Sequence, residues 1–169
     1  MIQRFTFGCP LPTESVVLPV EPAAAAVPHL TAEPDGSWSF SLAEDAVVYG
    51  LGEMPRGINK RGWHYVADNT DESHHGENRL SYYGAHNFLL IDGGAGRSVF
   101  GVFVDFPGKV FYDIGYTRHD RLTFRTEEPD YDLYILTGDS PNAVCTEFRK
   151  LIGHSYIPPK WAFGFAQSR

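Results

Sequence analysis

The chain has 169 residues and carries 21 acidic against 14 basic side chains, for a formal net charge of −7. That length suffices for one domain with a real core, and an acidic balance without a long Lys/Arg cluster argues against a nucleic-acid phosphate backbone as partner. No run reaches the roughly 18 consecutive apolar residues of a membrane helix, and Met1–Gly8 (MIQRFTFG) leads into no apolar stretch with a small-residue cleavage site, so cytoplasmic location is the default expectation. Cys9 and Cys145 are the only cysteines, too few for a disulfide framework or a CxxC metal site, and are read as inert thiols.

In chain order, residues 21–27 (EPAAAAV) lie between prolines and read as a covering or linking segment. Residues 37–42 (SWSFSL) alternate strictly, which predicts a half-buried strand with Trp38, Phe40 and Leu42 inward. Residues 47–51 form a short apolar run ending among glycines. Residues 87–91 and 99–104 are two more apolar runs joined by D-G-G-A-G, whose glycines supply the positive φ of a hairpin turn. Strands follow at 110–114, 122–125 and 131–136. About eight or nine short strands with frequent turns predict a sandwich.

One helix stands out. Ser140 suits an N-cap, Pro141 the first helical position and Gly153 the position after the end, while Val144, Phe148, Leu151 and Ile152 make one apolar stripe. Pro158 and Pro159 stop any helix. The run at 160–165 (KWAFGF) then starts again as an apolar strand over 161–166, in need of a partner to cover it.

The stretch from Tyr49 to Phe88 differs from the rest. It is dense in polar groups, including Arg56, Asn59, Lys60, Arg61, His64, Asp68, Asn69, Asp71, Glu72, His74, His75, Glu77, Asn78 and Arg79, and reads mostly as loop. Long loops in compact domains are more often functional than idle. His74, His75 and Glu77 match no known metal-ligand spacing and read as a solvated loop. Asp130 and Asp132 read as the solvent face of a strand. The glycines of Y-G-L-G-E lack a strand–helix phosphate-binding context and read as a bend. Tyr82–Tyr83 and Phe111–Tyr112 read as mainly core.

Within this region the sequence resembles a known family. Y-G-L-G-E at 49–53, G-I-N-K-R-G at 57–62, N-T-D at 69–71, Y-Y-G-A-H-N-F at 82–88 and I-P-P-K-W-A-F-G-F-A-Q-S-R at 157–169 stand in the order found in glycoside hydrolase family 31, and are similar to bacterial α-glucosidases. The resemblance implies a mainly β fold: a galactose-mutarotase-like sandwich over residues 1–156 with one C-terminal helix, then the first strand of a truncated (β/α)8 barrel over 157–169.

It also implies a retaining enzyme that splits terminal α-linked glucose from oligosaccharides with two aspartates on the barrel. The family's W-x-D-M-N-E type motif is absent here, so no catalytic residue is expected in this chain and no activity from it alone. Asp71 of N-T-D is the implied substrate-binding residue, reaching over the barrel mouth to sugar hydroxyls, with Asp68 its nearest rival. An ionised Asp accepts two strong hydrogen bonds from vicinal hydroxyls; the bland alternative is a turn residue capping local N–H groups. The implied partners are an α-glucoside oligosaccharide and the catalytic barrel of the same parent chain, with no nucleic acid, no membrane, no metal and no cofactor. Homo-oligomerisation and the choice of sugar stay open. A non-catalytic carbohydrate-binding sandwich is the alternative from another class, and a mutarotase-like epimerase a third by fold analogy alone.

Overall fold

Short alternating runs cannot bury a face singly, and here they pair into two five-stranded antiparallel sheets. The computed structural model describes residues 1–169 except 26, 28–29, 72, 95–97 and 166–169. Among these residues the strands are β1 (Ile2–Phe7), β2 (Leu30–Ala32), β3 (Trp38–Ser41), β4 (Val47–Gly52), β5 (Trp63–Ala67), β6 (Ala85–Asp92), β7 (Val99–Asp105), β8 (Val110–Ile114), β9 (Arg121–Thr126) and β10 (Tyr131–Gly138), with helix α1 (Pro141–Ile152) after them. The first sheet runs β1-β10-β7-β6-β4 and the second β2-β3-β9-β8-β5.

The main core lies between the sheets, where Phe40, Tyr65, Ile91, Leu122, Phe124 and Leu133 are buried. A second core lies on the outside of the first sheet. There α1 sets Val144 and Leu151 against Phe88, Leu90, Tyr134 and Leu136. Phe148 stacks on Phe88 with ring centroids 3.8 Å apart. Gly101 lets the helix approach, since a Cβ there would stand 2.9 Å from Val144 Cγ1 and 2.8 Å from Phe88 Cε2. The helix begins and ends as its sequence predicts: Ser140 Oγ accepts from Ala143 N at 3.2 Å, Pro141 opens the first turn and Gly153 closes it at φ 85°. Ile152 departs from the predicted stripe and is exposed.

The chain between β1 and β2 forms a strap over the same outer face. Val17 N and Leu18 N both donate to Leu151 O, at 2.9 and 3.2 Å. Further on, Ala23 N donates to Arg4 O at 2.7 Å and Pro22 bridges Arg4, so these two residues of the segment read as covering or linking lie along the free edge of β1. The other long edges are closed too: Lys60 N donates to Val48 O on β4 at 2.7 Å, and Val66 N on β5 to Leu80 O at 3.1 Å.

Covering both faces of the first sheet overturns the solvent-face reading of Asp132. Every residue from Tyr131 to Leu136 is buried. Asp132 is 7% exposed, takes a hydrogen bond from Arg4 Nη2 at 2.8 Å and another from Thr6 Oγ1 at 2.6 Å. A carboxylate tolerates burial there because a guanidinium and a hydroxyl satisfy it. Asp130 is exposed and accepts from Cys9 N at 3.0 Å.

Three strands lie outside the sequence reading: β1, β2 and β5, the last inside the stretch read as loop. At the other end, the strand expected over 161–166 is described to residue 165, where Lys160–Phe163 form a single 3-10 turn instead. Trp161, Phe163 and Phe165 are all exposed, and none of the described strands pairs with this segment; Ala166 lies outside the described residues.

Candidate functional site

The polar stretch from Tyr49 to Phe88 divides into two parts with different jobs. In the first, the polar side chains bind backbone. At the end of β4, Gly50, Leu51 and Gly52 take φ of 125°, 67° and 72°, and the register with β6 shifts between the two glycines. A Cβ on Gly50 would stand 2.2 Å from Phe88 O, so the bend predicted for G-L-G-E does require glycine. Leu51 sustains the left-handed conformation because its side chain is fully buried in the main core.

The G-I-N-K-R-G turn then staples the strand ends together. Asn59 Oδ1 accepts from Val48 N at 3.2 Å and Arg61 N at 3.1 Å. Arg61 Nη1 donates to the carbonyls of Ala43, Glu44 and Ala46 at 2.5, 2.9 and 3.1 Å, and Nη2 to His119 O at 2.8 Å. Lys60 is only 6% exposed; its Nζ donates to Pro55 O at 3.3 Å and lies 5.6 Å from the Tyr65 ring centroid. Burial pulls the Lys60 pKa down, and nearby Glu77 opposes that. All three side chains thus fasten backbone to backbone. Arg56, at φ 70°, lies 4.4 Å over the Trp63 ring and donates to His64 O at 3.1 Å. His64 in turn pairs with Asp113 at 3.3 Å and meets the edge of Tyr116.

The second part, from Asp68 to Gly84, is an excursion between β5 and β6 with a tied base. Ser81 Oγ donates to Asp68 O, Thr70 N to Tyr82 O at 3.1 Å, and Ala85 N to Asn69 Oδ1 at 2.7 Å. Lys109 Nζ pairs with Asp68 at 3.2 Å. The loop also packs on itself: Tyr82 is buried, its hydroxyl donates to Gly76 O at 3.0 Å, and the His75 ring lies 4.8 Å from Tyr82 and 5.3 Å from the exposed Tyr83. Ser73 Oγ and His74 Nδ1 are 2.9 Å apart. Glu72 lies outside the described residues, and among those described no three His, Cys, Asp or Glu side chains gather as a metal site.

Within N-T-D the division of labour is clear. Asn69 and Thr70 take the capping duties expected of a turn, while Asp71 is exposed and shares no hydrogen bond or ion pair with the described residues. Asp68, its rival, is already held by Lys109. The arrangement presents the uncommitted carboxylate of Asp71 directly after the anchored base of the loop, a geometry that can accept hydrogen bonds from a ligand without first breaking its own.

Comparison with known proteins agrees with this architecture. Residues 20–113 match the family described as the glycosyl hydrolase 31 N-terminal galactose mutarotase-like domain. The chain is similar to alpha-glucosidase 2 of Bacillus thermoamyloliquefaciens, 33% identical over 133 residues, covering 77% of this chain and 16% of that protein. It is also similar to alpha-xylosidase XylQ of Lactiplantibacillus pentosus, 30% identical over 125 residues, covering 74% and 15% respectively. Among solved structures, a Flavobacterium johnsoniae GH31 dextranase complexed with glucose superposes with a TM-score of 0.68 at 25% identity, over 83% of this chain and 17% of that one. The chain therefore spans under a fifth of the length of these relatives.

Proposed function

The chain belongs to the glycosyl hydrolase 31 N-terminal galactose mutarotase-like domain family, and on that premise we propose that it serves as the N-terminal part of a retaining α-glucosidase, supplying a substrate-binding loop to a catalytic barrel in the same parent chain. The sandwich with its helix occupies residues 1–156, and 157–169 begin the barrel. The two carboxylates of the retaining mechanism belong to that barrel, so the 169-residue chain is inactive by itself. The exposed Trp161, Phe163 and Phe165 support a further domain packing at this end, since apolar side chains grouped on a surface mark interaction sites.

The observation that carries the loop assignment is the free carboxylate of Asp71 on a loop whose base is tied at Asp68, Asn69 and Thr70. Ionised, it accepts hydrogen bonds from two neighbouring sugar hydroxyls, and the tied base holds it in place before substrate arrives. A carboxylate on the loop closes one side of a pocket and helps to exclude water from the reaction.

The test is hydrolysis of a chromogenic α-glucoside by the chain joined to its barrel, with and without Asp71→Ala. The expected loss is about 2 kcal/mol of transition-state stabilisation, or roughly thirtyfold in kcat/KM. An active extended enzyme that ignores the substitution removes Asp71 from the site. Inactivity on every α-glucoside and α-xyloside removes the glycosidase reading itself.

A further inference from the structure

At the root of the Asp71 loop lies a cleft of about 490 Å³, lined from both sheets. Its walls come from residues 67–69 at the end of β5 and just beyond it, 85–87 at the start of β6, 103–105 at the end of β7 and the turn 106–109, with Glu127 and Ser15 closing the sides. We infer that this cleft is a second carbohydrate subsite, one that holds a neutral hydroxyl-rich sugar unit beside the loop. The inference rests on the glycan reading above and extends it to residues that reading does not use.

Four features of the cleft select that ligand class. First, its lining side chains are held in position by the protein. Asn87 Nδ2 donates to Phe106 O at 3.4 Å, which fixes its amide, because a carbonyl can only accept. His86 Nδ1 accepts from Phe88 N at 3.3 Å, so a neutral ring keeps its proton on Nε2 as a donor. Desolvation by the surrounding atoms lowers the His86 pKa and favours that neutral form, while the residue keeps an exposed edge. Second, one lining carboxyl is nine-tenths buried: Asp105 is 9% exposed and takes a hydrogen bond from Thr13 Oγ1 at 2.6 Å.

Third, the charge balance turns away anions. The lining carries Asp68, Asp105 and Glu127, and the Lys109 ammonium is 3.2 Å from Asp68 and so already matched. Glu127 Oε2 accepts from Lys109 N at 3.0 Å, which ties the residue before β8 to the residue after β9. Fourth, Phe106 adds an apolar wall to this set of donors and acceptors. Sugars combine apolar ring faces with hydroxyls that both donate and accept, and a few placed polar groups against an aromatic wall match them. The cleft far exceeds the roughly 30 Å³ that one water occupies and falls among the sizes of small-molecule sites. Asn69 forms part of the wall and Asp71 follows two residues later, so a saccharide held by the loop lies next to the cleft mouth.

The experiment is a titration of the full 169-residue chain with maltose, isomaltose and methyl α-xylopyranoside, followed residue by residue through backbone amide NMR shifts. Saturable movement of the amides of Asn69, Ala85, Asn87 and Lys109 with at least one sugar is expected. Glu127→Gln, which keeps the shape and removes the charge, weakens that binding about tenfold, with amides remote from the cleft unmoved as proof of fold. Movement confined to residues 70–83 overturns the cleft assignment and leaves the loop reading standing. No movement with any of the three sugars overturns the cleft assignment, and activity of the barrel-extended enzyme then decides the glycosidase reading separately. Movement of the cleft amides by calcium chloride but by no sugar overturns the ligand class.

Discussion

The outer faces of the two sheets make opposite use of the same strand geometry. On the second sheet, one row runs straight across all five strands as Thr31, Ser39, Thr123, Asp113 and His64, and every member is polar. On the first sheet, the row Ile2, Leu136, Gly101, Leu90 and Tyr49 is apolar, with α1 lying over it. A sheet open to water on one side alternates, and a sheet covered on both sides does not. Strand β3 of the second sheet therefore shows its inward residues plainly in sequence, while the first sheet hides its register among continuous apolar runs. The covered face also obliges the protein to satisfy polar groups internally, hence Arg4 and Thr6 around Asp132, whereas the Glu33–Arg121 pair on the second sheet remains partly in solvent.

Substitutions of matched kind on the two faces sharpen that contrast. Leu136→Ala removes a fully buried side chain from beneath α1 and is expected to cost about 2–5 kcal/mol in urea unfolding. Thr123→Ala, at the centre of the polar row, is expected to cost within about 1 kcal/mol. Equal costs would mean that the helix does not cover the first sheet in solution.

Protonation gives the next contrast. Burial pushes the Asp105 carboxyl above the usual carboxylate range, with the Thr13 and Ser15 hydroxyls opposing and Asp132 adding to the rise. Arg4, beside Asp132, favours the ionised form, and the folded state still binds the Asp105 proton more tightly than the unfolded chain does. The contribution of this group is thus fully present below the unfolded pKa near 3.9 and is lost as pH rises through the higher folded value. Asp105→Asn is expected to raise Tm at neutral pH by roughly 2–4 °C, the shift that about 1 kcal/mol gives at this size, and to give no gain in acid. A gain that persists undiminished at low pH would remove the charge explanation.

The smallest effect, and the opposite in sign, belongs to Glu33 on the open face. Hydrogen bonding from Ser39 leads the causes that hold its pKa down, with Arg121 adding to it. Its stabilisation is present above the unfolded pKa near 4.3 and lost as pH falls through the lower folded one. Glu33→Gln is expected to lower Tm slightly at neutral pH, and the difference from the parent to close on acidification, as a melting series across pH would record.

What could be read from the residues depends on whether local chemistry or the fold sets it. The caps of α1, Ser140 and Gly153, were legible because local chemistry sets them. The hairpin of β6 and β7 was legible from its glycines, although residues 95–97 of the turn lie outside the described set. Strand β5 was not, since Trp63 and His64 are both exposed at its start and its neighbours are charged. Asp132 was misread because alternation says which residues share a face and not what covers that face. In the candidate site, the polar stretch of 49–88 was visible as unusual, but composition alone could not separate Lys60 and Arg61, which fasten backbone, from Asp71, which is uncommitted. That distinction depends on carbonyls of Ala43, Glu44, Met54 and Pro55, brought within reach only by the fold. The cleft was less legible still, because its walls come from five separated segments.

The first strand of the chain pairs with the last, Ile2 opposite Leu136 and Phe7 opposite Tyr131. This places a kinetic condition on the domain. Central strand β10 cannot acquire its β1 neighbour until nearly the whole sandwich has left the ribosome, so the N-terminal strand spends most of synthesis with its hydrogen-bonding groups unclaimed. Closing a loop of this length costs entropy before any contact repays it, and folding is correspondingly slow. During that wait the emerging chain is open to pairing with a neighbour. The strap and the proline-rich segment follow β1 directly and leave the ribosome long before β10, so Pro22 and Ala23 can screen one edge of the strand in the meantime.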